Sequence, residues 1–291
     1  MIITKLMGGL GNQMFQVATA YALATKYNTK FKLDLSFLNK NNISTESFTA
    51  REYELAVFNK KFEFASQNDL DFFFPKNKKI IVRFTRKIKR LLHNPQIIID
   101  NWNPIGFFEK KSSYIYLDGY WQSEDYFKSY EQEIKKLFQF PTIDDIRKDL
   151  VTEIRAFNSV SIHFRRGDYA NNSHVKAFHG LLEFDYYQRA MNHINSVVIN
   201  PKYYIFSDDP EWVKMHFENE IDFTIIDTES GIKDMYLMSL CKHNIIANSS
   251  FSWCAAWLNT NPGKIVVVPK KWFNANDLNY EHVIPENWQK L

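Results

Sequence analysis

The sequence has little cysteine and no long apolar segment. Its 291 residues include two cysteines, Cys241 and Cys254, whose spacing fits neither a metal site nor a disulfide framework. We therefore expect a reducing compartment, the cytoplasm. The uncharged stretch 6–25 is interrupted by glycine, asparagine and glutamine, so no run reaches membrane-spanning length and no signal peptide is expected. No internal repeat or low-complexity tract is present.

The chain also has little excess of one charge sign over the other. The formal net charge is +3, from 36 Lys and Arg against 33 Asp and Glu, which is too small to indicate bulk nucleic-acid binding. Hydrophobic residues make up 45% and aromatic residues 16% of the chain. That composition is enough for a large core, and the length predicts two domains.

The amino-terminal residues predict a βαβ unit. Residues 2–7 read as a strand, 15–27 as a helix and 31–35 as a second strand. Gly8–Gln13 forms the glycine-rich turn between the first strand and the helix, which is a natural position for a ligand loop. Asn12 and Gln13 bring side-chain amides to this turn, which favours a ligand contact over a tight turn without a ligand.

A dinucleotide-binding fingerprint is the alternative for this turn. Gly9 and Gly11 supply its first two glycines, and Asp34 stands where a ribose-binding acid would follow. However, the third glycine position holds Met14, a bulky residue where helix and strand should pack closely. The dinucleotide interpretation is weakened and not excluded.

The segment 76–93 is strongly basic and has a helical apolar face. The composition slightly favours an ordinary basic surface helix. The alternative is a helix that lies on a membrane surface, because basic amphipathic segments bind anionic headgroups.

The second half of the chain is more regular. Pro141 breaks the chain and 143–157 predicts a connecting helix, so we expect domains at 1–145 and 146–291. Short apolar runs alternate with helical patterns there, which predicts a parallel, doubly wound α/β sheet. The predicted strands are Val160–Phe164, Tyr203–Phe206, Thr224–Ile226, Asn244–Ala247 and Ile265–Val268.

Three polar clusters follow three of these strands: Arg165–Asp168, Ser207–Asp209 and Asn248–Ser252. In a parallel sheet the carboxyl ends of the strands share one edge, where ligands of α/β proteins bind. One cluster alone would be a polar loop. Three clusters on one edge predict a site.

The chemistry of the clusters is complementary. The guanidinium forks of Arg165 and Arg166 suit the oxygens of a diphosphate. Ser249, Ser250 and Ser252 stand at the start of a predicted helix, where backbone N–H groups and hydroxyls favour an anion. Plain N-capping by Ser250 or Ser252 is the alternative, and both roles can coexist.

Acidic residues complete the predicted site. Asp208, Asp209 and Asp234 are acceptors suited to ribose hydroxyls or to the N–H edge of guanine, although Asp234 could equally be an N-cap. A metal is not expected, because the two arginines can neutralise a leaving diphosphate and no cluster has metal-ligand spacing.

The chain resembles the bacterial α-1,2-fucosyltransferases of glycosyltransferase family 11 along nearly its whole length. The resemblance rests on Gly8–Gln16, His163–Tyr169, Phe206–Asp209 and Asn248–Trp253, whose order and combined spacing are specific although each motif is weak alone. The family often has a second Trp after Trp253. Here that position is Cys254, a change that we interpret as packing.

The resemblance implies a GT-B-like α/β fold with two Rossmann-like domains facing a cleft, GDP-fucose as donor, an inverting reaction and no required metal or other cofactor. By that likeness Arg165 holds the β-phosphate, His163 and Asp234 contact guanosine, and Asn12 lies near the fucose. The residues expected to bind the donor are Gly9, Gly11, Asn12, Gln13, His163, Arg165, Ser207, Asp208, Asp209, Asp234, Asn248, Ser249, Ser250, Phe251 and Ser252.

The catalytic base must reach the acceptor hydroxyl, and geometry decides before pKa. Asp168 lies within the arginine motif, although it could serve only to orient Arg165. His179 follows that motif in a predicted loop. Glu52 would have to come from the other domain and ranks behind. Arg165, Asp168 and His179 are thus the expected catalytic residues.

The expected acceptor is a terminal β-galactoside of a cell-surface glycan such as the O-antigen, with peripheral contact to the inner-membrane surface through 76–93. Three alternatives remain at this point. They are a fucosyltransferase of another linkage or acceptor, an NAD-dependent oxidoreductase, and a non-catalytic sugar-binding protein that uses the aromatic residues Tyr120 and Trp121.

Overall fold

The computed structural model divides the chain into two compact units. Unit 1 comprises Met1–Ser44 and Ala50–Gln139, and unit 2 comprises Thr45–Thr49 and Phe140–Leu291. The main division thus lies near the predicted boundary between 145 and 146. The residues described are 1–45, 48–75, 80–109, 112–142, 146–167, 177, 180–217, 223–274 and 280–291, with the backbone alone for 80–86.

Unit 1 has a parallel sheet of four strands in the order β2-β1-β4-β3. The strands are β1 Ile2–Lys5, β2 Phe31–Asp34, β3 Gln96–Ile99 and β4 Ile115–Asp118. The chain moves from β1 to β2 on one side and returns through β3 and β4 on the other. The strand order therefore reverses between β1 and β4, where the ligand crevice of an open α/β sheet lies.

The helices of unit 1 are α1 Leu10–Lys26, α2 Ser36–Lys40, α3 Gln67–Phe73, α4 Ile80–His93 and α5 Glu131–Leu137. Helix α1 begins at Leu10, earlier than the Phe15 that the apolar pattern predicts. Gly8 turns the chain at φ 72°, and the Gln13 N–H already donates to the Gly9 carbonyl at 3.1 Å. The predicted glycine-rich turn therefore contains the first turn of α1.

Unit 2 has a parallel sheet of six strands in the order β10-β9-β8-β5-β6-β7. Read from the opposite edge, this is the Rossmann order, with β5 in the place of the first strand. The strands are β5 Asn158–Phe164, β6 Pro201–Ser207, β7 Phe223–Ile226, β8 His243–Ile245, β9 Val266–Val268 and β10 Gln289–Lys290.

Among the described residues, the helices of unit 2 are α6 Lys148–Ala156, α7 Phe184–Val197, α8 Pro210–Phe217, α9 Gly231–Leu240 and α10 Ser250–Leu258. Alternating strands and helices confirm the predicted α/β class with two Rossmann-like, parallel-sheet units. Within the described residues, no helix combines the length and the apolar character needed to cross a membrane.

A small polar network is buried beside β8. The Asn244 side-chain amide donates to the Ser161 hydroxyl at 2.7 Å and to the Met238 carbonyl at 2.9 Å, and its oxygen accepts from Asn259 at 2.8 Å. The Asn244, Ser161 and Asn259 side chains are all buried. The network joins β5, β8 and the helices on either side of β8, which fixes the strands that carry the polar clusters.

Replacing Asn244 with Ala should destabilise unit 2, because three buried partners lose their hydrogen bonds together. We expect a melting temperature lower by at least about 5 °C in a thermal unfolding scan. The matched control is Asn192→Ala on the exposed side of α7. Equal melting temperatures for the two variants would contradict the structural role of the network.

Candidate functional site

The strand order of unit 2 reverses between β5 and β8. Strand β5 leads to β6 and β7 on one side, and the chain then crosses to β8 on the other. Residues that follow β5 and β8 therefore flank the crevice where α/β proteins bind ligands. Two of the predicted polar clusters lie at this reversal, and the third follows β6 next to it.

Arg165, directly after β5, forms an ion pair with Asp208 directly after β6. The Arg165 Nη1 to Asp208 Oδ2 distance is 2.8 Å, and the other carboxylate oxygen of Asp208 accepts the Arg166 N–H at 2.8 Å. A Cβ at Gly167 would stand 3.0 Å from Asp208 Oδ2. Gly167 is therefore needed for Asp208 to approach the backbone and hold Arg165.

The two adjacent arginines have different environments. The Arg166 side chain is 12% exposed, its guanidinium carbon lies 3.9 Å from the centroid of the Trp212 ring, and its Nε is 3.5 Å from Asp209. Arg166 thus packs on α8 through a cation–π contact. The sequence-based expectation that both guanidinium groups face one diphosphate is not supported for Arg166.

Ser207 and Asp209 shape the loop between β6 and α8. The Asp209 N–H donates to the Ser207 hydroxyl at 2.9 Å, and an Asp209 carboxylate oxygen accepts the Trp212 N–H at 3.2 Å. The second bond satisfies an N–H of the first turn of α8, as an N-cap does. In this structure both side chains are used to build the loop.

His163, within β5, is buried beside the Phe251 ring of α10, at a centroid distance of 5.6 Å. Burial and the nearby Arg165 charge lower the pKa of His163 to about 4, so the imidazole is neutral near pH 7. Its buried Nδ1 has no hydrogen-bond partner among the described residues. A buried polar atom without a partner favours a contact with a ligand that is polar at this point.

Asp234 lies in the first turns of α9, close to the start of α10. Burial raises the pKa of Asp234 to about 6, the Asp227 charge adds to this, and a hydrogen bond from the Thr228 hydroxyl at 2.6 Å opposes it. The N-cap of α9 is Ser230, so the N-cap alternative for Asp234 is wrong. Phe251 also reaches Gly231 of α9, where a Cβ would lie 3.6 Å from its ring.

Among the described residues, no side-chain cap is seen at the amino terminus of α10. Ser249 occupies the N-cap position without a side-chain cap bond, and the first turn contains no acidic residue. Capping by Ser250 or Ser252 is therefore not seen. A nine-residue helix with an uncapped amino terminus at the strand reversal suits an anion.

Two residues of the third cluster are structural in their contacts. The Asn248 amide donates to the carbonyls of Gly180 and Trp272 at 3.4 and 3.3 Å. The Ser252 hydroxyl is fully buried and lies 3.3 Å from the Ser249 carbonyl. Cys254, two residues after Ser252 in α10, is also buried, which agrees with its interpretation as a packing residue.

The predicted residues of the first loop form a separate group in unit 1. The Gln122 amide donates to the Asn12 side-chain oxygen at 2.6 Å, which joins the first turn of α1 to the segment after β4. The Asn12 amide nitrogen would be 2.3 Å from a Cβ at Gly8, so Gly8 is required by this close approach as well as by its positive φ.

Gln13 is fully buried and bonds only to backbone in the contacts described. Its amide nitrogen donates to the carbonyls of Gly8 and Glu52 at 2.9 and 2.7 Å, and its oxygen accepts the Glu54 N–H at 3.0 Å. The expected ligand contact of Gln13 is not supported. Its role here is to fix the segment 51–54 beside the first loop.

The dinucleotide alternative is not supported in unit 1. The Glu54 carboxylate accepts the Leu10 N–H at 2.9 Å and lies beside Gly9, so an anion already occupies the start of α1. Asp34 is buried and accepts hydrogen bonds from the Ser36 hydroxyl at 3.0 Å and the Tyr116 hydroxyl at 2.6 Å. It is therefore not available to a ribose.

Two of the three candidate bases, Asp168 and His179, lie outside the described residues. Glu52 has an exposed side chain in unit 1. In the described part of the chain, no three His, Cys, Asp or Glu residues cluster as metal ligands would. The roles of Asp208 as the partner of Arg165 and of Glu54 as a helix cap were not found from sequence. The sequence did contain a signal for the Arg165–Asp208 ion pair, because Asp208 is an acid that directly follows the strand next to β5.

The chain is similar in sequence to characterised glycosyltransferases and in structure to solved fucosyltransferases. The chain is 34% identical to the α-1,2-colitosyltransferase of Escherichia coli, over 100% of this chain and 98% of the relative. It is also 34% identical to the O-antigen biosynthesis glycosyltransferase WbnK of Escherichia coli, over 98% of this chain and 99% of that relative. A crystal structure of the NodZ α-1,6-fucosyltransferase soaked with GDP-fucose is similar, with a TM-score of 0.46, 14% identity and 90% and 96% coverage.

The profile of Glycosyl transferase family 11 matches residues 1–291. The match and both relatives cover essentially all of the chain, including the loops of unit 1 and the three clusters of unit 2. The resemblance stated on the motifs is therefore confirmed at the level of the family: the chain is a glycosyltransferase and belongs to glycosyltransferase family 11.

Proposed function

We propose that this glycosyltransferase transfers L-fucose, with inversion, from GDP-fucose to the 2-hydroxyl of a terminal β-galactoside during O-antigen synthesis. The observation that carries the proposal is Arg165, which is held by Asp208 at the strand reversal. Helix α10 begins at the same reversal, without a side-chain cap from the described residues. The relatives named for α-1,2 transfer and for O-antigen synthesis support the linkage and the pathway class. The two cysteines are buried and form no disulfide, which is compatible with the proposed cytoplasmic location.

The diphosphate of the donor fits between the end of β5 and the start of α10. Arg165 offers a planar fork of donors, and its ion pair with Asp208 reduces the orientational freedom that binding would otherwise have to remove. The N–H groups of the first turn of α10, with the Ser249 and Ser250 hydroxyls, provide the second side. Both halves of this site belong to unit 2.

The guanosine of the donor fits beside Phe251. The ring of Phe251 provides an apolar surface for a base, and neutral His163 provides a ring nitrogen that lacks a partner. When ionised, Asp234 accepts hydrogen bonds, which matches the two N–H groups on the Watson–Crick edge of guanine.

Transfer requires negative charge to develop on the β-phosphate as the bond to the sugar breaks. A fixed guanidinium stabilises that charge more in the transition state than in the ground state. Arg165 and the α10 N–H groups supply this positive charge, and we therefore propose a reaction without a required metal. A base then takes the proton of the acceptor hydroxyl. Asp168 and His179 stay the first candidates, with Glu52 behind.

Colitose, which lacks the 3-hydroxyl of fucose, is the second candidate for the transferred sugar. One relative that is 34% identical is named an α-1,2-colitosyltransferase, so this alternative has a specific observation behind it. Both sugars would arrive on the same nucleotide diphosphate. The proposed donor site therefore serves either.

Product analysis tests the proposed reaction. The purified protein is incubated with GDP-fucose or GDP-colitose and a panel of β-galactosides, and the product linkage is read by NMR. We expect an α-1,2-linked fucosyl galactoside. Faster transfer of colitose would correct the sugar and keep the site. Stabilisation by NAD and not by GDP in thermal shift assays would contradict the whole proposal.

Replacing Arg165 with Ala should lower kcat by about 10²–10³-fold, because the preorganised donor to the leaving diphosphate is lost. Arg165→Lys should recover part of the rate, since the charge remains and the planar fork does not. Steady-state kinetics with GDP-fucose measure both.

The matched control for this prediction is Arg155→Ala on the exposed part of α6, which should keep the wild-type rate. Thermal unfolding confirms that each variant is folded. A folded Arg165→Ala protein with wild-type turnover would show that Arg165 does not serve the leaving group.

The affinity for GDP-fucose should fall as the pH is lowered through about 6, where the pKa of free Asp234 lies. Protonation removes an acceptor that the guanine N–H groups need, so the affinity drops by up to about tenfold for each pH unit below the pKa. GDP-fucose is used rather than GDP, because the second ionisation of a terminal phosphate also lies near pH 6. Calorimetric titration across this range gives the profile.

Two variants separate Asp234 from other groups. Asp234→Asn should bind weakly with no inflection near pH 6. Asp227→Asn should move the inflection to lower pH, because the Asp227 charge helps to raise the pKa of Asp234. An unchanged profile in Asp234→Asn would exclude Asp234 as the titrating contact.

A further inference from the structure

The carboxyl-terminal half of α4 exposes its apolar side. The sequence places Phe84, Ile88, Leu91 and Leu92 along one stripe of the helix. A surface helix of a globular domain normally buries such a stripe. Here Leu91 and Leu92 are 76% and 75% exposed, and Ile88 is 44% exposed. The expected ordinary surface helix is therefore not found over these residues.

The polar side of α4 faces the body of unit 1 instead. The Arg90 guanidinium lies on the carbonyls of Phe72 and Phe73, at 3.3 and 3.4 Å. The His93 ring stacks on Tyr114 with a centroid distance of 4.2 Å. Arg90 and His93 are on the side of the helix away from the apolar stripe, so these contacts hold the stripe outward.

The next element continues the apolar exposure. Strand β3 follows α4 after Asn94 and Pro95. Among the described residues it pairs with β4 alone, so it is an edge strand of the unit 1 sheet. Alternate residues of a strand share one face, and Ile97 and Ile99 are 46% and 72% exposed. Two consecutive elements thus leave large apolar side chains in water. Exposed apolar surface of this kind marks an interaction site.

The charge of the segment indicates what covers this surface. Eight of the 36 Lys and Arg residues lie within 76–93, together with His93, and none of the 33 Asp and Glu residues does. The rest of the chain is net negative. Lys87 and Lys89, which flank Ile88, are exposed. A surface with large apolar side chains and concentrated positive charge complements an anionic, apolar partner.

We propose that Ile88, Leu91 and Leu92 of α4 dock on a bilayer that contains anionic phospholipid, with Lys87 and Lys89 at the headgroups. Leucine side chains enter the boundary between headgroups and acyl chains, and lysine stems extend to the phosphates. The Arg90 and His93 contacts preset the helix for this orientation. The association is peripheral and reversible, as expected for one short amphipathic helix.

Co-sedimentation of the full chain with vesicles tests the proposal. Vesicles of phosphatidylcholine with a minority of phosphatidylglycerol should bind the protein at low salt. Vesicles of phosphatidylcholine alone should bind at least about tenfold less protein than the anionic vesicles. High salt should release the protein from the anionic vesicles. Leu91→Ser with Leu92→Ser should lower the partition coefficient by at least about tenfold, and Lys87→Gln with Lys89→Gln by a similar factor.

Matched controls keep the result specific. Ile199→Ser with Met215→Ser removes two side chains that are 80% and 73% exposed in unit 2, and should bind as the wild type. Lys60→Gln with Lys61→Gln removes two exposed lysines of unit 1 outside the segment, and should change binding by less than about threefold. Turnover of a soluble galactoside should be unchanged in all four variants.

Three outcomes would overturn the proposal. One is equal loss of binding in the α4 and control variants, and another is no binding to anionic vesicles at low salt. The third concerns a second copy of the chain, which is the competing occupant of the edge strand β3. A dimer in sedimentation velocity without vesicles, lost in Leu91→Ser with Leu92→Ser, would assign the surface to self-association.

Discussion

The site of unit 2 depends on one carboxylate between two strands. The register of β5 and β6 pairs Phe164 with Ser207, so the residues that follow, Arg165 and Asp208, leave the sheet side by side. Asp208 accepts from the Arg165 guanidinium and from the Arg166 N–H, and Gly167 makes room for it. Without this carboxylate, a charged side chain at a strand end would sample many rotamers, and a fixed donor to a phosphate would be lost.

Burial sets the protonation states of the neighbouring groups. The same desolvation that lowers the pKa of His163 raises the pKa of Asp234, since both changes favour the uncharged form. Phe251 lies beside His163 of β5 and near Gly231 at the start of α9, the helix that carries Asp234. A neutral imidazole and a carboxyl group that titrates near pH 6 suit a polar, uncharged base. Arg165 places a permanent positive charge, oriented by Asp208, where the phosphates are proposed to bind.

Sequence patterns predicted the strands of unit 2 and the edge at which the polar residues meet, because β-branched runs and the parallel topology are local and regular. They could not separate Arg165 from Arg166, since that difference depends on Trp212 in α8 and on register. They also assigned Gln13 and Asn248 to a ligand, whereas both bind backbone that is distant in sequence. For α4 the apolar period correctly predicted a helix. It could not predict which side of the helix faces unit 1, because that is set by the contacts of Arg90 and His93.

Both units have a strand reversal, and the helix that begins at the reversal meets a negative charge in unit 1 and a positive charge in unit 2. In unit 1 the Glu54 carboxylate caps α1 and supplies the negative charge that a helix amino terminus favours. In unit 2 the amino terminus of α10 has no side-chain cap from the described residues and no acid in its first turn. A diphosphate would be repelled by Glu54 in the first case and attracted by Arg165 and α10 in the second. The Asn12 and Gln122 amides at the reversal of unit 1 carry no charge and bond to each other, so they do not offset the negative charge of Glu54.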